Sequence, residues 1–272
     1  MKRNKQQIKW NLEKALDLYR QGQSINQIAS ELNISYPTIY NKFKSLGIEI
    51  RNKKLVKIDE TVFDSIDTEE KAYWLGFIFA DGYISLPRRK NGRAAYDFEI
   101  ALQLLDRLHL VKFGKFMGFL ENVKVDSYRC RWAIGNKHLW NTLNSYGCTP
   151  RKSLTLKFPD KGIFKSQDLI RHFIRGYFDG DGSISTLETS KSKLIVNLIG
   201  TEDMLSNILK QCNISTNLHQ YKNHSKNTFY FSLAIQKGTN FLTYLYKNST
   251  IYLERKFKLW YNYCRSLEGS NE

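Results

Sequence analysis

The chain's 272 residues allow about two domains, and 42 Lys and Arg against 26 Asp and Glu leave a formal charge of +16. That charge calls for a polyanionic partner, and 42% hydrophobic with 14% aromatic residues exclude a disordered basic tail, so the composition describes a folded nucleic-acid binder. No apolar run approaches the roughly 20 residues of a membrane span, Met1–Trp10 carry no secretory stretch, and the scattered Cys130, Cys148, Cys212 and Cys264 read as reduced, mostly buried thiols of an intracellular protein.

The first elements are helical. Leu12, Ala15, Leu16 and Tyr19 follow a helical period that Gly22 ends. Ser24 caps a second helix bearing Ile25, Ile28, Ala29 and Leu32, and Asn33 occupies a tight turn where a positive φ is tolerated. Ser35 caps a third, with Pro37 in its first turn and Ile39, Phe43 and Leu46 as its inward stripe. Residues 1–50 therefore resemble a helix-turn-helix domain. On that reading the third helix presents Tyr36, Thr38, Asn41, Lys42 and Lys44 to a DNA groove. Residues 51–58, with the run RNKKLVK, form a basic linker.

Beyond residue 59 the main feature is an internal repeat. YWLGFIFADGYIS (73–85) and FIRGYFDGDGSIS (173–185) align with Asp81 on Asp181. Each copy opens as a helix, capped by Asp67 or Thr68 before Glu69 and Glu70, and by Ser166 with Asp168 in the second. Each helix then ends at Asp-Gly. Alternating strand-like runs follow, Tyr96 to Leu104 and Leu194 to Leu198, then helices over 107–120 and 202–212. Further strands over 127–135 and 227–236 lead into helices over 137–146 and 238–246. Both copies close on an extended lysine-bearing piece, TPRKS (149–153) and YLERK (252–256). The sequence thus predicts an α+β fold of two pseudo-twofold repeats, 59–160 and 161–272, each of mixed αββαββα order with a saddle-shaped antiparallel sheet.

The two segments resemble the LAGLIDADG motifs of homing endonucleases, in the single-chain form with two motifs. The resemblance spans about residues 59 to 267. Physical chemistry points the same way. Two helices packed about a twofold axis need small residues at their contact, and Gly76 with Ala80 is placed to face Gly176 with Gly180. Such packing brings Asp81 and Asp181 together at the negative ends of two helix dipoles, which calls for divalent cations. Mg²⁺, a hard cation taking oxygen ligands, suits them. Lys152 and Lys256, at matching positions, are candidates to stabilise the transition state or orient water. The family's peripheral glutamine suggests Gln103, which has no equivalent in the second repeat. The motif departs from the family at Phe79 and Arg175, and Asp179 reads as packing.

The sheets are expected to form the DNA saddle, with Arg129 and Arg131 on the polar side of YRCRW (128–132), and Lys193 and Asn197 in similar places in the second repeat. Arg88, Arg89, Lys90 and Arg93 fall in a hairpin suited to tracking phosphates. The five histidines form no zinc-protease or His-Asn-His pattern, and there is no phosphate loop or acyl-transfer elbow. The chain also lacks intein junction residues and reads as freestanding.

The resemblance implies a monomeric, Mg²⁺-dependent endonuclease that makes site-specific double-strand breaks in DNA, with intron homing as its setting. A catalytically inactive DNA-binding regulator and an intron RNA maturase are the alternatives, since a basic saddle does not separate RNA from DNA.

Overall fold

The structure is a computed structural model in which residues 11–20, 25–50, 58–90, 93–118, 123–186, 194–221 and 227–268 are described. The chain divides into two compact units, residues 1–56 and 57–272.

In the first unit, α1 (Leu12–Arg20), α2 (Ile25–Glu31) and α3 (Tyr36–Ser45) enclose a small core of Ala15, Leu18, Tyr19, Ile25, Ile28, Ile39 and Phe43. Asn33 takes a φ of 52° in the turn, as expected of Asn. The Ser35 side chain accepts from the Thr38 amide at 3.3 Å, and Pro37 sits in the first turn of α3. Leu46 departs from the predicted stripe. The helix stops at Ser45, so Leu46 becomes its C-cap, followed by Gly47 at φ 67°, and it is exposed. Gly22 and Ser24 lie outside the described residues, as does the linker but for Ile58.

The second unit contains both repeats. The first runs α4 (Glu69–Asp81), β1 (Gly82–Ile84), the hairpin β2 (Arg88–Lys90) and β3 (Arg93–Ala95), β4 (Asp97–Gln103), α5 (Arg107–Phe116), β5 (Val123–Val125), β6 (Arg129–Gly135) and α6 (Lys137–Ser145). The second runs α7 (Asp168–Asp181), β7 (Gly182–Thr186), β8 (Leu194–Gly200), α8 (Glu202–Gln211), β9 (His219–Gln220), β10 (Phe229–Ala234), α9 (Ile235–Tyr246) and α10 (Glu254–Glu268). Each repeat carries an antiparallel four-stranded sheet of the same order, β1-β4-β6-β5 and β7-β8-β10-β9. The registers correspond, because Gly82 pairs with Ile100 and Gly182 with Leu198.

The motif helices form the centre. In α4 every residue from Ala72 to Phe79 is buried, the all-round burial of a helix covered on each side. Close approach to α7 explains the small residues. A Cβ on Gly76 would lie 1.9 Å from the Phe173 carbonyl oxygen, and one on Gly176 1.9 Å from that of Tyr73. Gly82 and Gly182 follow the helices in ordinary extended conformation, φ −74° and −88°, so both are glycine for lack of space. A Cβ there would meet the Ile78 carbonyl oxygen at 2.5 Å or the Phe178 ring at 2.3 Å.

The sheets alternate as predicted. Phe98, Ile100, Leu102, Cys130 and Trp132 are buried on one face of the first sheet, as are Leu194, Val196, Leu198, Phe231 and Leu233 in the second. Four local expectations change. Thr68 caps α4 through its side chain, but Gln167 occupies the α7 N-cap without a side-chain bond. Leu104 leaves β4 for a 3₁₀ turn and is exposed. Lys152 lies in a 3₁₀ turn and Lys256 in the first turn of α10. The last is a helix that apolar periodicity missed because the extended reading stopped at Lys256. The four cysteines form no disulfide.

Candidate active site

Asp81 and Asp181 end the two packed helices, each with its carboxyl only partly exposed. Burial and then the neighbouring Asp181 raise the Asp81 pKa to about 6. Burial also raises that of Asp181, against the pull of Lys152 and a hydrogen bond with Tyr177. The two carboxyls are therefore close enough to oppose each other's ionisation. Aligned on the motif, Tyr177 faces Phe77 in the first copy, so only Asp181 has this hydroxyl support. The Tyr177 hydroxyl also lies 3.3 Å from the Ile199 carbonyl oxygen.

Lys152 and Lys256 close the same two helix ends. The Lys152 ammonium donates to the Ala80 carbonyl at 2.8 Å. That of Lys256 donates to the carbonyls of Phe178 at 2.9 Å, Asp179 at 2.7 Å and Gly180 at 3.3 Å. Ala80, Asp179 and Gly180 are in the last turn, whose carbonyls a helix leaves unpaired, while the Phe178 carbonyl also accepts from the Gly182 amide, and the positive charges offset the negative dipole ends beside the aspartates. Both lysines are buried, and burial lowers the Lys256 pKa to about 8, with Asp179 opposing the shift. Sequence spacing found these lysines but not this structural attachment.

Asp179 is fully buried and accepts from Tyr73 at 2.8 Å, Tyr246 at 2.6 Å and the Leu253 amide at 2.7 Å. It faces away from any metal-binding role and ties α7 to the segment leading to Lys256. Arg175 is likewise buried, bonding Glu69 at 2.6 Å, the Ile251 carbonyl at 2.9 Å and His172 at 2.7 Å. His109 packs beside Tyr73, and burial lowers its pKa to about 3, so it is a neutral core residue. Aspartate where the first copy has Phe79 was the visible signal for this network. Nothing in the sequence marked Asp106, whose carboxylate oxygens lie 3.0 and 3.1 Å from Arg255 Nε.

The remaining sequence candidates separate. Gln103 pairs with Arg129 at the C-terminal end of β4, three residues beyond the residue opposite Gly82 and, in this antiparallel pairing, on the side of the strand from which Asp81 enters β1. Arg129 and Arg131 do point to the exposed face of β6, where Arg131 lies 3.9 Å from Glu99. Asn197 is half-buried on the matching face of β8 beside Ser183, within a groove that Asp181, His219 and Tyr230 also line. Lys193 lies outside the described residues. The backbone of Arg88, Arg89 and Arg93 forms the expected hairpin, and their side chains lie outside the described part. In the first unit, Tyr36, Thr38, Asn41, Lys42 and Lys44 are all exposed along α3, where Tyr36 stacks on Tyr40 at 5.8 Å and Lys44 lies 5.9 Å from the Tyr40 ring.

Asp81 and Asp181 offer hard oxygen donors as two half-buried like charges side by side, which fits a divalent cation of the Mg²⁺ type. Among the described residues no group of three or more His, Cys, Asp or Glu forms a complete protein cage. The donor set thus suits an ion whose shell is completed by phosphate and water. No helix among the described residues is long and apolar enough to cross a membrane.

Comparison with known proteins agrees with this architecture. Residues 2–46 match the model of the helix-turn-helix domain of resolvase, and residues 168–255 that of the LAGLIDADG-like domain. The replication factor C small subunit of Methanocaldococcus jannaschii is 26% identical over 217 residues, 78% of this chain and 11% of that protein. The chain therefore spans about a tenth of that curated relative's length. Among solved structures, a point mutant of I-SmaMI is 14% identical, covering 74% of this chain and 92% of its own, with a TM-score of 0.51. The LAGLIDADG meganuclease I-AabMI bound to uncleaved DNA is 15% identical, with coverage of 74% and 91% and a TM-score of 0.50. The homing endonuclease I-GzeII in complex with its DNA target is 14% identical, with coverage of 74% and 91% and a TM-score of 0.50. These likenesses to solved structures concern the fold; with the LAGLIDADG-like match over residues 168–255 and the paired motif helices, this chain resembles the LAGLIDADG homing endonucleases, with a resolvase-type helix-turn-helix match ahead of its two repeats.

Proposed function

We propose that this protein is a monomeric, site-specific DNA endonuclease that cuts both strands of duplex DNA by Mg²⁺-dependent phosphodiester hydrolysis. The observation that carries this reading is the pair Asp81 and Asp181, one per repeat, at the ends of two helices in van der Waals contact. Two symmetric carboxylates suit a reaction performed twice, once per strand. The division into a helix-turn-helix domain (1–50), linker (51–58) and repeats (59–160 and 161–272) belongs to the same reading.

In this reading Asp81 and Asp181 hold the metal, which supplies charge stabilisation on the scissile phosphate and a more reactive water. Tyr177 orients Asp181. The ammonium groups of Lys152 and Lys256 keep positive charge beside both carboxylates and fix the helix ends, so that the carboxylates need little rearrangement as charge develops. Arg129, Arg131 and Asn197 contact the duplex from the sheets, and α3 extends the footprint. Gln103, at the Asp81 end of β4, is a peripheral candidate in the first repeat. Affinity for duplex DNA then falls steeply with salt.

The test is cleavage of a randomised duplex library with Mg²⁺. Asp81→Asn and Asp181→Asn are expected to abolish double-strand breaks while retaining DNA binding, and undiminished double-strand cleavage by either variant overturns the mechanism.

A further inference from the structure

We propose that the two sheets read the two halves of the target by different chemistry. The first repeat reads a G·C pair through Arg131 and Glu99, and the second reads A·T pairs through Asn197, Ile199 and Tyr230. The assignment rests on the reading that duplex DNA lies against the open faces of both sheets, and it names the bases that each face accepts.

The matching strand orders let the two faces be compared position by position. Gly82 opposite Ile100 and Gly182 opposite Leu198 set the same frame. In that frame Glu99 corresponds to Asn197 and Ala101 to Ile199. Ala101 pairs with Arg131 and Ile199 with Tyr230, so Arg131 and Tyr230 correspond as well. Lys124 opposite Arg131 then matches His219 opposite Tyr230. On β4, β6, β8 and β10 these residues alternate with the buried ones, which places them on the open faces.

Equivalent positions carry opposite chemistry. The strands of the first sheet bear Asp97, Glu99, Lys124, Arg129 and Arg131, whereas β7, β8, β9 and β10 contain no Asp, Glu, Lys or Arg. Arg131 and Glu99 lie 3.9 Å apart, so a fork of donors and an acceptor stand side by side. In the major groove that combination matches guanine, which shows two acceptors, and its cytosine partner, which shows a donor. Asn197 instead offers one donor and one acceptor, the complement of adenine N7 and N6. Ile199 and the Tyr230 ring opposite it supply apolar surface for the thymine methyl group. The His219 ring, 5.4 Å from that of Tyr230, extends this surface. Asn197, Ile199, Tyr230 and His219 line one groove of about 950 Å³ with Asp181, so the uncharged face runs up to the second motif's aspartate. The two halves should therefore differ in salt sensitivity too, since only the first sheet meets the duplex with cations on its strands.

The test selects by binding alone. The full chain is equilibrated with a randomised duplex library without divalent metal, and the bound pool is sequenced. A fixed G·C pair on one side of the centre and A·T pairs on the other are expected. The same selection is repeated with Arg131→Ala and Asn197→Ala, neither of which alters the core. Arg131→Ala is expected to lose the guanine preference by about 10-fold or more while keeping the A·T pairs, and Asn197→Ala to do the reverse. Only Arg131→Ala should lower the salt dependence of binding. Relaxation of the same half by both variants, loss of the G·C pair in Asn197→Ala, or a pool alike in both halves overturns the assignment. A pool with no enriched sequence overturns it as well. Adding Mg²⁺ to the selected duplex tests cleavage separately: an asymmetric pool that is never cut supports this assignment and ends the endonuclease reading.

Discussion

The Tyr73 hydroxyl, on the motif helix of the first repeat, donates at 2.8 Å to the carboxylate of Asp179 on the motif helix of the second. Both groups are buried, and the same carboxylate accepts from Tyr246 and the Leu253 amide. A buried carboxylate is tolerated only when its lone pairs are met, so Asp179 is a polar rivet between the repeats. Removing one of its donors with Tyr73→Phe is expected to cost about 1–3 kcal/mol, read from urea unfolding. A change within a few tenths of a kcal/mol would show that the bond carries no net stability.

Helix contact at Gly76 and Gly176 leaves no room for a methyl group. Gly76→Ala places a Cβ against the Phe173 carbonyl oxygen, a backbone atom that moves only if α4 and α7 separate. The expected destabilisation is about 3 kcal/mol or more. Double-strand cleavage should fall with it, because the same separation moves Asp81 from Asp181. Wild-type stability in Gly76→Ala would refute this packing.

Asp81 links the site to pH. Its folded pKa of about 6 exceeds its ordinary value of 3.8, so between pH 4 and 6 the folded chain keeps a proton that the unfolded chain releases. Metal-free stability should therefore fall as pH rises through that window, and the loss persists above it. Asp81→Asn removes the effect and should be the more stable protein at pH 7.5, by about 1–2 kcal/mol after allowance for solvent screening. Mg²⁺ should raise the melting temperature of the unmodified chain at pH 7.5 and do so far less at pH 4.5. A melting temperature indifferent to Mg²⁺ at pH 7.5 would count against these carboxylates as ligands.

Neighbours on β6 should behave oppositely. Arg131 is exposed and Trp132 is buried. Arg131→Ala is expected to reduce the salt dependence of binding to random duplex DNA by about one unit of slope, with little change in stability. Trp132→Ala is expected to cost about 3–5 kcal/mol of stability. An unchanged salt slope in Arg131→Ala would remove the first sheet from the DNA-contacting surface.

Much of this molecule is legible because its local signals agree. The cap at Ser35, the turn at Asn33, the alternation of Phe98, Ile100 and Leu102, and the 100-residue offset between motifs are each decided by neighbours in sequence. Leu46 and Leu104 were misplaced because helix and strand ends depend on the element's stopping point, which periodicity fixes poorly. The α10 helix was missed because the reading followed the repeat, and the repeat ends where that helix begins.

The sequence by itself determined the two repeats, the paired aspartates and the trailing lysines, since residue type and spacing are properties of the chain. Only the tertiary structure decided what those lysines touch. Lys152 and Lys256 are buried on the carbonyls that end α4 and α7, and Asp106, Thr201 and Asn227 bind each lysine segment to the opposite repeat. The physical reason is close packing: once glycines let two helices meet, groups about 100 residues apart become nearest neighbours, and no local pattern records which of them will pair.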